Sequence, residues 1–171
     1  MVAVMIKALA GAQGDVEVRV DGKNISLCVD GREVKARLVE ASFPPYRQVI
    51  PESTPRGVAV SRVSLLASMR ASASLLRRKG DQGTRVTIGG GRCSVETTSL
   101  KGTVTSSFRA PSATGKAWSF GVNSRYLVDA ANAVGGSKVR LADSGEALSA
   151  IVVEAPGGGD VTTVTMPYRV S

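Results

Sequence analysis

The order helix, strand, strand, strand occurs three times in succession along this chain, and a repeated order of elements restricts a fold more than any single local propensity. In the first copy the apolar stretch from Val2 to Ala10 stops at Gly11 and Gly14. The alternating runs DVEVRV, NISLCV and EVKARLVEA follow, separated by the turn signals Asp21-Gly22 and Asp30-Gly31. The second copy opens with a short strand candidate around Gly57 to Val60. Ser61 is placed to cap a helix running to about Arg78, Gly80 and Gly83 end it, and TRVTI, RCSVETT and TVTSSFRA come next. The third copy begins with the strand AWSFGV, turns at Asn123 into the helix SRYLVDAANAV and stops at Gly135-Gly136. It continues as KVRLAD, ALSAIVVEA and DVTTVTMPYRV.

Each unit would lay one amphipathic helix on one face of a small antiparallel sheet, an α+β arrangement that leaves strand edges free. Such units need neighbours. Copies two and three are expected to join their sheets edge to edge, with helices side by side, into one complete domain, leaving copy one as a half domain.

The residues absent from the chain exclude most chemistry. With no histidine in 171 residues, the commonest general base, the Ser-His nucleophile pairs and most zinc sites are removed together. Gly89-Gly90-Gly91 and Gly157-Gly158-Gly159 read as turns, not phosphate cradles. Cys28 and Cys93 lie inside strand-like runs, fit no metal-ligand spacing and are expected to be buried free thiols. The expectation is therefore a protein that is not an enzyme and uses no cofactor or metal.

No apolar run approaches the roughly 20 residues of a membrane span. The opening MVAVMIKALAGA imitates a signal peptide, with Ala8, Leu9 and Ala10 resembling a cleavage site. It lacks a basic leading region and carries Lys7 within the apolar stretch, so a soluble, unexported chain is expected. The net charge of +8 suits a polyanionic partner, a solvated basic surface being the alternative.

Three motifs lie in order along the repeats. Phe43-Pro44-Pro45-Tyr46-Arg47-Gln48-Val49-Ile50-Pro51 reads as an extended, proline-stiffened connector whose aromatic rings pin it to a domain surface. It resembles the F-P-x-Y-R-x-V-I/L-P connector of bacterial DNA polymerase III beta subunits, the replicative sliding clamps. The helix start Asn123-Ser124-Arg125-Tyr126-Leu127-Val128-Asp129-Ala130 is similar to that family's N-x-x-Y-L-x-D-A, and Met166-Pro167-Tyr168-Arg169-Val170 to its C-terminal M-P-x-R-L.

The resemblance covers the whole chain and implies the DNA-clamp (processivity) fold, in which two three-domain chains close a ring of twelve such units. It implies that residues 1–42 correspond to the second half of the middle domain, 43–56 to the interdomain connector and 57–171 to a complete C-terminal domain. The implied function is a DNA sliding clamp, a processivity factor in DNA replication that tethers polymerase to DNA. The alternative is a truncated clamp-like module acting as decoy or regulator of clamp partners without encircling DNA. The implied partners are double-stranded DNA without sequence preference, together with replicative polymerase, clamp loader and other proteins carrying clamp-binding peptides. A homo-oligomer or a partner clamp chain is also implied. If the leftover first units of two chains paired, four chains would supply twelve units. The implied setting is cytoplasmic, bacterial or phage-encoded.

Carried over residue by residue, the family's peptide groove falls on Pro44, Gln48 and Val49 of the connector, Asn123 and Tyr126 of the third helix, and Leu148 and Ala150 of a strand. Val164, Thr165, Met166, Pro167, Tyr168 and Arg169 complete it from the C-terminal tail; a terminal strand packed for stability is the alternative reading of that tail. Basic residues on helices are the candidates to face DNA phosphates. Arg62, Arg70 and Arg77 fall within a sector of roughly 80 degrees on the second helix, and Lys7 and Arg125 are the comparable positions on the other two. Gln48 stands where arginine is common in the family, Tyr168 where a smaller apolar residue is, and Asp81 near a position often apolar. The family groove also takes one wall from the first half of the middle domain, and the family is usually acidic where this chain is basic.

Overall fold

A computed structural model describes residues 2–76, 83–113, 115–146 and 148–169. The chain divides into two compact units, Met1–Pro45 and Tyr46–Ser171.

In the first unit, helix α1 (Val2–Leu9) is followed by strands β1 (Glu17–Asp21), β2 (Asn24–Val29) and β3 (Arg32–Arg37), paired antiparallel in the order β1-β2-β3. The register is set by tight turns. Val29 opposes Arg32 across Asp30 and Gly31, both at positive φ (47° and 71°), the conformation of the hairpin turn that matches strand twist. Alternation then places Val18, Val20, Ile25, Leu27, Val34 and Ala36 on one face. Val29 and Ala36 are buried there, whereas the whole of β1 stays exposed.

The second unit begins with a 3-10 turn at Tyr46–Val49, in which no residue is buried. The turn departs from the expectation of a connector extended throughout. Strand β4 (Arg56–Ser61), helix α2 (Arg62–Leu75), strands β5 (Thr84–Gly89), β6 (Arg92–Ser99), β7 (Gly102–Arg109) and β8 (Trp118–Val122), helix α3 (Ser124–Val134), and strands β9 (Lys138–Asp143), β10 (Ile151–Glu154) and β11 (Thr162–Thr165) follow. Both helix starts are capped, that of α2 as expected: Ser61 Oγ accepts from Ser64 N–H (3.3 Å) and Asn123 Oδ1 from Arg125 N–H (3.0 Å). Helix α2 stops at Leu75, short of Arg78, because Leu76 leaves the helical region.

The sheets depart from the expected edge-to-edge joining. One has the order β7-β6-β5-β8 and the other β11-β10-β9-β4, so the strand that precedes each helix is lent to the sheet of the other repeat. β4 pairs with β9 and β8 with β5, both antiparallel. This exchange is reciprocal, and it ties the two repeats together through the backbone hydrogen bonds of β4 with β9 and of β8 with β5. Helix α2 packs on β6 and β7, α3 on β10 and β11, and the helices pack on each other. Val58, Leu65, Met69, Val86, Val95, Leu127, Val139, Leu141 and Ile151 form one continuous aliphatic core.

The helices lie antiparallel, as their arginines show. Arg62, at the start of α2, donates through Nε to the Gly136 carbonyl beyond the end of α3 (2.5 Å). Arg125, at the start of α3, donates to the Leu76 carbonyl beyond the end of α2 (3.4 Å). Each guanidinium thus meets carbonyls left unpaired at a helix end, the electronegative end of the helix dipole.

Candidate functional site

The C-terminal tail crosses from one sheet to the other, and two hollows flank it. β11 ends at Thr165 because Pro167 has no N–H to continue the ladder. Tyr168 then bridges antiparallel to β8, its N–H donating to the Gly121 carbonyl (3.0 Å) and its hydroxyl to the Val122 carbonyl (2.9 Å). Only glycine leaves room for this ring: a Cβ built at Gly83 would lie on top of the Tyr168 hydroxyl. Burial raises the Tyr168 pKa above the usual phenol value, which keeps the hydroxyl a donor.

The first hollow, about 500 Å³, lies between α3 and β11 and is lined by Tyr126, Asp129, Ala130, Ala133, Thr163, Val164, Thr165 and Met166. Its apolar lining is open to solvent: Tyr126 is 62% exposed and Met166 57%. The start of α3 is anchored beneath it by buried hydroxyls. Thr84 of β5 hydrogen-bonds to Thr97 of β6 (2.7 Å) and to Ser124 of α3. Tyr126 therefore stands on a fixed helix, and the hollow offers apolar contacts with one carboxylate, Asp129, at its rim.

The second hollow, about 390 Å³, has Leu148, Pro167, Tyr168 and Arg169 on its wall together with Arg56, Arg85, Phe120 and Asp143. Arg56 holds buried Asp143 through two 2.7 Å hydrogen bonds and lies 5.2 Å from the centre of the Trp118 ring, which stacks on Phe120. Leu148 is not in a strand, as the sequence reading had it. It sits in a turn with φ +60°, closed by hydrogen bonds from Ser144 N–H to Ser149 Oγ (3.3 Å) and from Ser149 N–H to the Glu146 carbonyl (3.4 Å). A left-handed leucine is rare, and such strain is found where the surroundings hold it in place.

The expected groove residues thus fall into separate groups. Tyr126, Val164, Thr165 and Met166 line the first hollow, while Leu148, Pro167, Tyr168 and Arg169 line the second. Ala150 is buried just before β10, and Asn123 is half-buried as the cap of α3. Gln48 and Val49 sit exposed on the 3-10 turn and line neither hollow, and Pro44 lies in the first unit. Asp129, Ala130 and Ala133 were missed, although they follow Tyr126 at three, four and seven residues, the spacing of one helix face. Arg56 and Asp143 carried no local signal, since their pairing spans 87 positions.

Of the candidate DNA-facing residues, Lys7 and Arg70 are exposed on α1 and α2. Arg62 and Arg125 are engaged at helix ends as described, and Arg62 also reaches Asn132 Oδ1 (3.5 Å). Arg77 and Asp81 lie outside the described residues. Among the described residues no cluster of groups fit to hold a metal ion is found, and no helix is long and apolar enough to cross a membrane.

No protein-family model matches the chain. Over 165 residues, 96% of its length, it is 22% identical to the Beta sliding clamp of Escherichia coli strain K12 and 24% identical to that of Pseudomonas putida. It spans 44% of each of these relatives. A DnaN sliding clamp (DNA polymerase III subunit beta) from Bartonella birtlesii, solved bound to griselimycin, superposes with a TM-score of 0.87 at 23% identity, covering 99% of this chain and 45% of that one. The chain thus has the sliding-clamp fold, and it resembles the clamps in sequence over nearly its whole length.

Proposed function

We propose that this chain works as a sliding-clamp-like processivity factor in DNA replication, capturing short peptides of polymerases and clamp loaders in the hollow between α3 and β11. The observation that carries the reading is the open apolar lining of Tyr126, Val164 and Met166 on a chain with the clamp fold. Such a hollow takes one or two apolar side chains of an extended peptide, while polar groups at the rim fix its backbone. The second hollow, continuous with the tail through Pro167, receives the flanking residues. The first unit corresponds to half of a clamp middle domain and the second to a C-terminal domain.

No bond chemistry is involved in this function. Tethering converts the encounter of polymerase with DNA into an intramolecular one. Lys7, Arg70 and Arg77 supply phosphate contacts that carry no base information and so permit sliding. Arg62 and Arg125 add charge while holding the helices. The setting is the bacterial cytoplasm, with a bacterial or phage-encoded chain.

The test is fluorescence polarisation with a labelled clamp-binding peptide, and with griselimycin as competitor. Saturable binding that falls at least tenfold in Tyr126→Ala and Met166→Ala is expected; equal affinity in both variants would remove the groove. Retention on nicked circular DNA, lost on linearisation, separates a clamp from a module that binds the same peptides without encircling DNA.

A further inference from the structure

We propose that a third hollow, beside the outer edge of β4, is a docking site for an extended acidic peptide, which hydrogen-bonds to the backbone of Gly57 and sets a carboxylate against Lys116. This hollow, about 340 Å³, has Arg56, Gly57, Ile88, Ser112, Lys116 and Trp118 on its wall and shares only Arg56 with the hollows that flank the tail. Its origin is the strand exchange. β4 and β8 are each lent to the sheet of the other repeat, and each becomes an edge strand there. The tail meets β8 at Gly121, two residues before the cap Asn123, through the N–H of Tyr168. At the matching place on β4, two residues before the cap Ser61, a side chain arrives instead: Ala59 N–H donates to Ser112 Oγ (3.1 Å), which donates back to the Ala59 carbonyl (3.3 Å).

The alternation of the ladder decides what the hollow presents. In an antiparallel pair, every second residue bonds to the partner strand and those between face away from it. Arg62 N–H donates to the Ser137 carbonyl (3.0 Å), so Val60, Val58 and Arg56 continue the set bonded to β9, opposite Val139, Leu141 and Asp143. Ala59 faces away, as its bond to Ser112 shows, and Gly57 faces away with it. Gly57 is exposed, and its N–H and carbonyl stand side by side at the wall of the hollow, a donor and an acceptor at the spacing that a further strand would meet. A polypeptide backbone matches such a pair. A phosphate backbone offers acceptors alone and would leave the carbonyl unmet. The wall also carries two cations and no carboxylate. Arg56 is offset by its pair with Asp143, which does not line this hollow, whereas Lys116 is exposed and has no ion-pair partner among the described residues. Ile88 and the half-buried Trp118 ring give an aliphatic side chain of the peptide an apolar contact.

The test is a titration of the isotope-labelled full chain with a capped Glu-Val-Glu-Val-Glu peptide, followed by amide chemical shifts, with fluorescence polarisation of the same peptide for affinity. The expected result is saturable binding that moves the Gly57 amide and the Trp118 indole N–H. Lys116→Glu should weaken it roughly fivefold or more, the scale of an exposed ion pair reversed in sign. Lys101→Glu makes the same charge change in the β6–β7 turn, at the far end of β6 from the hollow, and should leave the affinity unaltered. Both lysines are exposed, so neither variant disturbs the fold. No shift at Gly57 or Trp118 up to about 1 mM peptide overturns the proposal. So do equal affinities in the two lysine variants, which would mean that Lys116 acts through net charge alone. Shifts at these residues from an oligothymidylate strand and not from the peptide would give the hollow to nucleic acid and overturn it as well.

Discussion

The Tyr168 hydroxyl donates to the Val122 carbonyl at 2.9 Å, and its ring occupies the space that a side chain at Gly83 would need. The tail is therefore docked on β8 by this bond, by the Tyr168 N–H donating to the Gly121 carbonyl, and by the absence of a side chain at Gly83. Tyr168→Phe removes the bond alone and is expected to cost about 1 kcal/mol. Gly83→Ala expels the ring and is expected to cost more, about 2–3 kcal/mol, as overpacking does. In a Tyr168→Ala background the same Gly83→Ala change should cost almost nothing, because the clash has gone. Urea unfolding of the four proteins of this cycle measures the coupling; additive effects would mean that the two residues do not meet.

A second prediction concerns Asp143, buried beneath Arg56. Asp143→Ala leaves a half-exposed guanidinium without its carboxylate, and about 2–3 kcal/mol of stability should be lost. Arg56→Ala strands the carboxylate instead. With Asp143 nearly out of contact with water, it should cost at least as much. The double variant should recover part of either loss, as thermal or urea unfolding will show.

Much of this fold can be read from residue order, and the limits of that reading are physical. Asn123 and the glycines after Val134 bracket α3, because caps act within a turn of the helix they end. The Asp30-Gly31 turn sets the β2-β3 register for the same local reason. Strand exchange was not legible: whether β4 joins β5 or β9 depends on pairings between residues about eighty positions apart, such as Val60 with Val139. The candidate site was legible in part. Tyr126 and Met166 came from motifs and meet in one hollow, but Leu148 was assigned by alternation to a strand that begins only at Ile151. The turn there is closed by a serine side chain, a hydrogen bond that hydrophobic pattern does not record.

The two thiols should differ in reactivity by orders of magnitude. Burial pushes Cys93 up to about 12, so at pH 8 its reactive thiolate is on the order of one part in ten thousand. Cys28 is half-buried in β2. Iodoacetamide at pH 8 should modify one thiol, Cys28, in the native protein and both in urea. Mass spectrometry of the digested protein locates the label, and rapid labelling of Cys93 without denaturant would contradict the packing of β6.

Asn123 can be asked which of two roles it plays. Its Oδ1 caps α3 by accepting from Arg125 N–H, and the residue precedes by three positions Tyr126, which lines the hollow. Asn123→Ala should cost about 1 kcal/mol of stability through the lost cap, and it should weaken peptide binding as Tyr126 loses its fixed support. Asn123→Ser restores the cap, since a serine oxygen accepts the same bond. If the cap alone matters, stability and peptide affinity both return to the wild-type values in the serine variant. If the amide itself holds the peptide backbone, stability returns while affinity stays at the alanine level. Unfolding and polarisation measured on the same three proteins decide between them.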